Sequence, residues 1–190
     1  MTYLEKTMDI RRVKDLMLPL SEYAVASQEA TLLDVIEVLE EAQKKLPPGK
    51  QPHRAVLLKD EKGNIVGKIG QLAFLKALEP KYNVLGDLKM LSRAGLGSDF
   101  ISSMMQHYQL FQDDLALILK RASGIRAKEV MHPVEENIGE DASISEAIHK
   151  IVMLQTLSML VTRKHEVVGL IRLSDLFEEI AKQMKQLTAK

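Results

Sequence analysis

The stretch VVGLIRLSDLF, residues 167–177, decides how this chain is read. Its apolar residues run up to a glycine and beyond it as a strand. They then pass into a helical pattern with an acid, Asp175, in the first turn. Residues 65–75 read IVGKIGQLAFL, the same rhythm without the acid. Working outward, VKDLMLP at 13–19 is echoed by AKEVMHP at 127–133, with the same spacing from methionine to proline. EATLLDVIEVL at 29–39 is echoed by DASISEAIHKI at 141–151. Three matched blocks in one order mark an internal duplication, the first thing to seek in a new sequence.

Each copy predicts the same elements. A Met-x-Pro lead-in precedes a helix with Leu32, Val35, Ile36 and Leu39 at helical spacing, and Ile144, Ala147, Ile148 and Ile151 in the second copy. Ser143 with Glu146 fits a capping box, and Thr31 with Asp34 a shorter-armed version. Two short strands follow: AVLLK and IVGKI joined by KDEKGN, then SMLVT and VVGLI joined by RKHE. A final helix closes each copy, ending near Pro80 in the first. The KKLPPGKQPH stretch at 44–53 reads as a loop extension of copy one.

This β-α-β-β-α unit, twice over, resembles the CBS domain pair, or Bateman module. The resemblance covers residues 10–80 (repeat 1) and 124–184 (repeat 2), with 81–123 as a helical insertion. It implies an α/β fold in which the copies form a pseudo-twofold scaffold. It also implies a regulatory rather than catalytic role, with an adenosine-type ligand such as AMP, ADP, ATP or S-adenosylmethionine bound between the repeats. No cofactor is required, and a nucleotide would act as a regulatory ligand. A homodimer, and a partner protein regulated in trans, are the implied associations.

The family's binding ending reads Gly-h-h-Thr/Ser-x-x-Asp, with h apolar; its hydroxyl holds phosphate and its aspartate accepts from the ribose hydroxyls. Copy two keeps Gly169 and Asp175 but has Arg172 at the hydroxyl position, beside Ser174. A carboxylate can take two hydroxyl donors at once, and Arg172 can offer charge to a phosphate. Further walls implied by the resemblance are His132, Val134, Ile138, Met159 and Leu160. Each of these can equally be core, and Asp175 can equally be a first-turn acid favourable to the helix dipole. In copy one, Gly70 and Ala73 replace both polar residues, so no ribose anchor remains.

Composition limits the alternatives. Lys and Arg balance Asp and Glu at 26 each, which argues against general affinity for nucleic acid or an anionic membrane. Cysteine is absent, which removes disulfides and thiolate chemistry. The five histidines show no His-x-x-x-His pair, so no metal site is expected. No nucleophile elbow, Walker loop or dinucleotide fingerprint occurs. With no signal peptide and no apolar run of membrane-spanning length, a cytoplasmic location is expected.

Within the insertion, GDLKMLSRAGLGSD suggests a short helix and a turn. Residues 99–122 suggest one long helix with a stripe of Ile101, Met104, Met105, Tyr108, Phe111, Leu115, Ile118 and Leu119. That stripe either packs on the repeats or docks a partner. The second possibility supports a rival reading, a ligand-independent interaction module.

Overall fold

A computed structural model describes residues 11–46, 51–85, 95, 97–134 and 136–188. Copy one runs β1 (Leu18–Pro19), β2 (Val25–Ser27), α1 (Leu32–Lys44), β3 (Ala55–Lys59), β4 (Ile65–Gly70) and α2 (Gln71–Ala77). Helices α3 (Ser98–His107) and α4 (Leu115–Ser123) follow. Copy two then adds α5 (Ala127–Val130), β5 (His132–Pro133), β6 (Asn137–Gly139), α6 (Ile144–Leu154), β7 (Ser158–Arg163), β8 (Glu166–Arg172) and α7 (Leu173–Thr188). Both predicted hairpins and all four repeat helices are present.

The strands form two sheets of like topology, β2-β3-β4-β5 and β6-β7-β8-β1. In each, one strand comes from the other copy. The Met-x-Pro lead-in of copy one pairs with β8 of copy two, placing Pro19 opposite Gly169. The lead-in of copy two pairs with β4, placing Pro133 opposite Gly67. The exchange explains the conserved rhythm of the two copies. A β-carbon on Gly169 would stand 2.6 Å from the Leu18 carbonyl oxygen and 3.1 Å from the Met17 sulfur. One on Gly67 would stand 2.5 Å from the Met131 sulfur. Glycine and Met-x-Pro are therefore the two halves of one crossing contact, made twice.

The exchange extends to the helix ends. Val13 N–H donates to Ala142 O and Lys14 N–H to Glu140 O; their counterparts Ala127 and Lys128 donate to Ala30 and Gln28. Lys14 pairs with Asp141 and Lys128 with Glu29. Thr31 and Asp34 form the reciprocal capping box, with Thr31 N–H donating to the Asp34 carboxylate at 2.7 Å and Asp34 N–H to Thr31 Oγ1 at 3.2 Å. Ser143 accepts from Glu146 N–H at 3.1 Å, but Glu146 turns to Lys150 instead, so the more typical-looking box is the half-made one. Glutamate on an exposed first turn finds a lysine one turn on within reach.

Alternation along the strands separates three cores. Val56 and Leu58 face α1 and α2, in a core that Ala127 of copy two completes. Met159, Val161 and Ile171 face α6 and α7, in a core that Val13 of copy one completes. Leu57, Leu160 and Leu170 fill the layer between the sheets with Leu18 and Tyr23. Each core thus contains side chains from both repeats.

The predicted long helix of the insertion is two. The break spans Tyr108–Asp114, where Gln109 and Phe111 have φ of 49° and 53°. Three features hold it: Leu110 is buried, Glu79 accepts the Phe111 N–H at 2.7 Å, and Asp114 caps α4 through Ala116 N–H. The apolar stripe divides with it. Ile118 is buried, whereas Ile101, Met105, Leu115 and Leu119 are exposed. Most of GDLKMLSRAGLGSD lies outside the described residues. Among the described residues, no helix is long and apolar enough to cross a membrane.

Candidate functional site

The site is built where β8 passes into α7. Arg172 ends the strand and Asp175 lies in the first helical turn, three residues on. Spacing of three on a helix start brings the side chains together, and they form a bidentate pair. Arg172 Nε donates to Asp175 Oδ2 at 2.7 Å and Nη2 to Oδ1 at 2.6 Å. The third nitrogen, Nη1, donates to the Gln51 carbonyl of copy one at 3.1 Å. Arg172 is 9% exposed. Burial alone would lower its pKa, but the hydrogen bonds and charge of Asp175 outweigh it and hold the guanidinium above its ordinary value.

Copy one supplies the neighbours. Tyr23, just before β2, is buried, and burial pushes its hydroxyl up to about 12, against the opposing charge of Arg172. His53 packs edge-on against it, ring centroids 4.6 Å apart. His53 is buried, and among the described residues its two ring nitrogens are the buried side-chain atoms lacking a hydrogen bond; the Glu22 backbone faces the ring without completing one. Burial first, and the Arg172 charge second, hold the imidazole below its usual pKa. Two buried aromatic rings from the opposite repeat thus lie close enough to Arg172 and Asp175 to feel their charges.

The other residues named from the sequence fall in the cores and the sheets. Ile138 and Met159 are fully buried in the core under α6. Leu160 and Val134 belong to the layer between the sheets. His132 pairs with Lys68 on β4, in the sheet of copy one. Ser174 adjoins the pair in sequence, and Gly169 serves the crossing of β1. The exchange of lead-in strands seats His132 in the sheet of copy one, and it brings the segment leading to Tyr23 alongside β8. Tyr23 and His53 were missed for the same reason, and His53 carried no signal within its proline-rich surroundings.

The equivalent position in copy one holds a different device. With Gly70 and Ala73 in place of Arg172 and Asp175, Lys68 reaches across instead. Its Nζ donates to the Ser158 carbonyl at 3.2 Å and lies 3.9 Å from the Glu136 carboxylate. A separate apolar cavity of about 360 Å³ lies on the outer face of copy one between α1 and α2, lined by Leu39, Val56, Ile69 and Phe74. No group of three metal-ligating side chains occurs among the described residues.

Comparison with known proteins agrees with this architecture. Residues 127–182 match the family model described as CBS domain. A search of curated proteins returns no match. Among solved structures, a CBS domain-containing protein of unknown function from Bacillus anthracis superposes with TM-score 0.62 at 13% identity, over 94% of this chain and 98% of that one. The CBS domain of a bacterial CNNM/CorC family Mg2+ transporter in complex with ATP gives 0.59 at 16%, over 93% and 92%. CBSX2 in complex with AMP gives 0.56 at 15%, over 92% and 98%. The class is therefore that of tandem α/β modules with exchanged lead-in strands. The chain has the CBS domain pair fold, and its second copy carries the CBS domain signature.

Proposed function

We propose that this protein is a non-catalytic regulatory module that binds an adenosine-type nucleotide in the cleft at Asp175. The observation that carries the reading is the placement of the Asp175 carboxylate and the Arg172 guanidinium together at a seam between repeats. A diol acceptor and a phosphate partner stand side by side there, near the packed rings of Tyr23 and His53. The AMP and ATP complexes of proteins with this fold support the ligand class. Because Arg172 also holds Gln51 of copy one, a ligand there acts on the relation between the copies, and a partner protein reads the resulting population shift. A homodimer is the expected assembly.

One observation favours the rival reading of a ligand-independent interaction module. Both oxygens of Asp175 are already engaged, and exposed Ile101, Met105, Leu115 and Leu119 lie on α3 and α4. Calorimetric titration with AMP, ADP, ATP and S-adenosylmethionine separates the readings. Saturable binding to the native chain, lost in Asp175→Ala, supports the sensor. Equal binding by that variant moves the site elsewhere, and no binding by folded protein supports the interaction module.

A further inference from the structure

We propose that Arg172 is a latch that restricts the Asp175 cleft to ribosyl ligands carrying a phosphate. The inference rests on the nucleotide-sensing reading above and adds a rule of selection to it.

A bidentate guanidinium occupies one in-plane lone pair on each carboxylate oxygen, the two that face the same way. Arg172 does this to Asp175 through Nε and Nη2, at 2.7 and 2.6 Å. Two neighbouring ribose hydroxyls that engage both oxygens from that side need the same two lone pairs. Arg172 and a diol are therefore competitors for Asp175, and the protein's own side chain is the resident occupant. The latch closes across the molecule, since Nη1 holds the carbonyl of Gln51, 121 positions away in sequence.

Shielding makes the competition unequal. The side chains of Arg172 and Asp175 are 10% and 14% exposed. Removing the partner of a charge so placed leaves it unpaired out of water, which is strongly unfavourable. A neutral nucleoside offers the freed guanidinium nothing. A phosphorylated one offers an anion with the geometry that guanidinium prefers. The diol then takes the carboxylate, the phosphate takes the guanidinium, and no charge is orphaned. The other charged or titratable groups bearing on Arg172 are Tyr23, His53 and Glu178, and none of them is a cation that could replace it. A sulfonium ligand would set its positive charge near Arg172 and is disfavoured.

The test is titration of the full chain with adenosine, AMP and ATP, using native protein, Arg172→Thr and Arg172→Lys, each checked for folding by circular dichroism. The native protein is expected to bind AMP at least about thirtyfold more tightly than adenosine. Arg172→Thr should raise adenosine affinity at least about tenfold and narrow the preference to within about threefold. Arg172→Lys keeps the charge without the fork, so it should raise adenosine affinity while retaining preference for AMP. Native protein that binds adenosine as tightly as AMP overturns the latch but leaves the sensor standing. So does an unchanged adenosine-to-AMP ratio in folded Arg172→Thr. Binding that appears only in the variants overturns both nucleotide sensing by the native chain and a latch that admits phosphorylated ligands. Folded proteins that all bind nothing overturn both.

Discussion

Replacing Gly169 by alanine probes the crossing on which the whole fold depends. The new β-carbon would lie 2.6 Å from the Leu18 carbonyl oxygen, a backbone atom held by the pairing of Leu18 with Leu170. It cannot be relieved by a rotamer change, so β1 must move. Overpacking of this kind costs about 1–3 kcal/mol, and a backbone obstacle belongs at the upper end. The loss of glycine's freedom in the unfolded chain returns about 0.4–1 kcal/mol. The net expected destabilisation is roughly 2 kcal/mol. Gly67→Ala meets a flexible obstacle first, the Met131 sulfur at 2.5 Å, with the His132 carbonyl at 3.1 Å. Its net cost should be about 1 kcal/mol or less, because the thioether can swing aside. Gly139, which has nothing within 4 Å, supplies an unobstructed control whose alanine variant should gain about 0.4–1 kcal/mol. Urea unfolding followed by circular dichroism measures all three. A double-mutant cycle sharpens the contrast: Met131→Ala should couple favourably to Gly67→Ala, whereas Met17→Ala should not rescue Gly169→Ala. Equal costs at the two glycines, or rescue by Met17→Ala, would refute the argument that backbone contact sets the difference.

Other outcomes follow from single contacts. The β7–β8 hairpin turns on Lys164 and His165, both at positive φ (46° and 72°), so replacing them with Asn-Gly should stabilise the chain by about 1 kcal/mol in the same urea assay. Tyr23 has a folded pKa of about 12 against an ordinary 10.0. Its stabilisation is therefore complete below pH 10 and lost as pH rises towards 12, by roughly 2–3 kcal/mol, and Tyr23→Phe should remove that alkaline slope. His53 is shifted the other way, so its contribution is present above the ordinary imidazole pKa and declines as pH falls through the folded value; His53→Leu should flatten stability on the acid side. Glu79→Ala removes the acceptor of the Phe111 N–H, and hydrogen exchange should show that amide losing protection, with about 1–3 kcal/mol lost in total.

The duplication, the strand pairs and the repeat helices were legible because each rests on local chemistry. Alternation along AVLLK and SMLVT, four-residue spacing in α1 and α6, and the chain reversals between strands all act within a few residues. The insertion was misread at the same range. Its apolar spacing continued across Tyr108–Asp114, yet a burial site for Leu110 and the carboxylate of Glu79, 32 positions from Phe111, favoured a turn. Asp114 was the local signal available, since aspartate caps helices more readily than it occupies their interiors. The capping boxes reversed because Glu146 had a lysine within reach.

By itself the sequence determined that two like units exist, that each is a β-α-β-β-α run, and that Asp175 is retained in one copy only. Local propensity and periodicity suffice for these. Only the tertiary structure decided that the lead-in strands change places, and therefore which residues face Asp175. Repeats of like sequence carry compatible edges, so a lead-in strand can pair within its own copy or with the other. In the pairing adopted, each Met-x-Pro closely approaches the glycine of the other copy, a contact between residues more than sixty positions apart. That choice brought the segment leading to Tyr23 alongside β8 and seated His132 on β4 of the other copy.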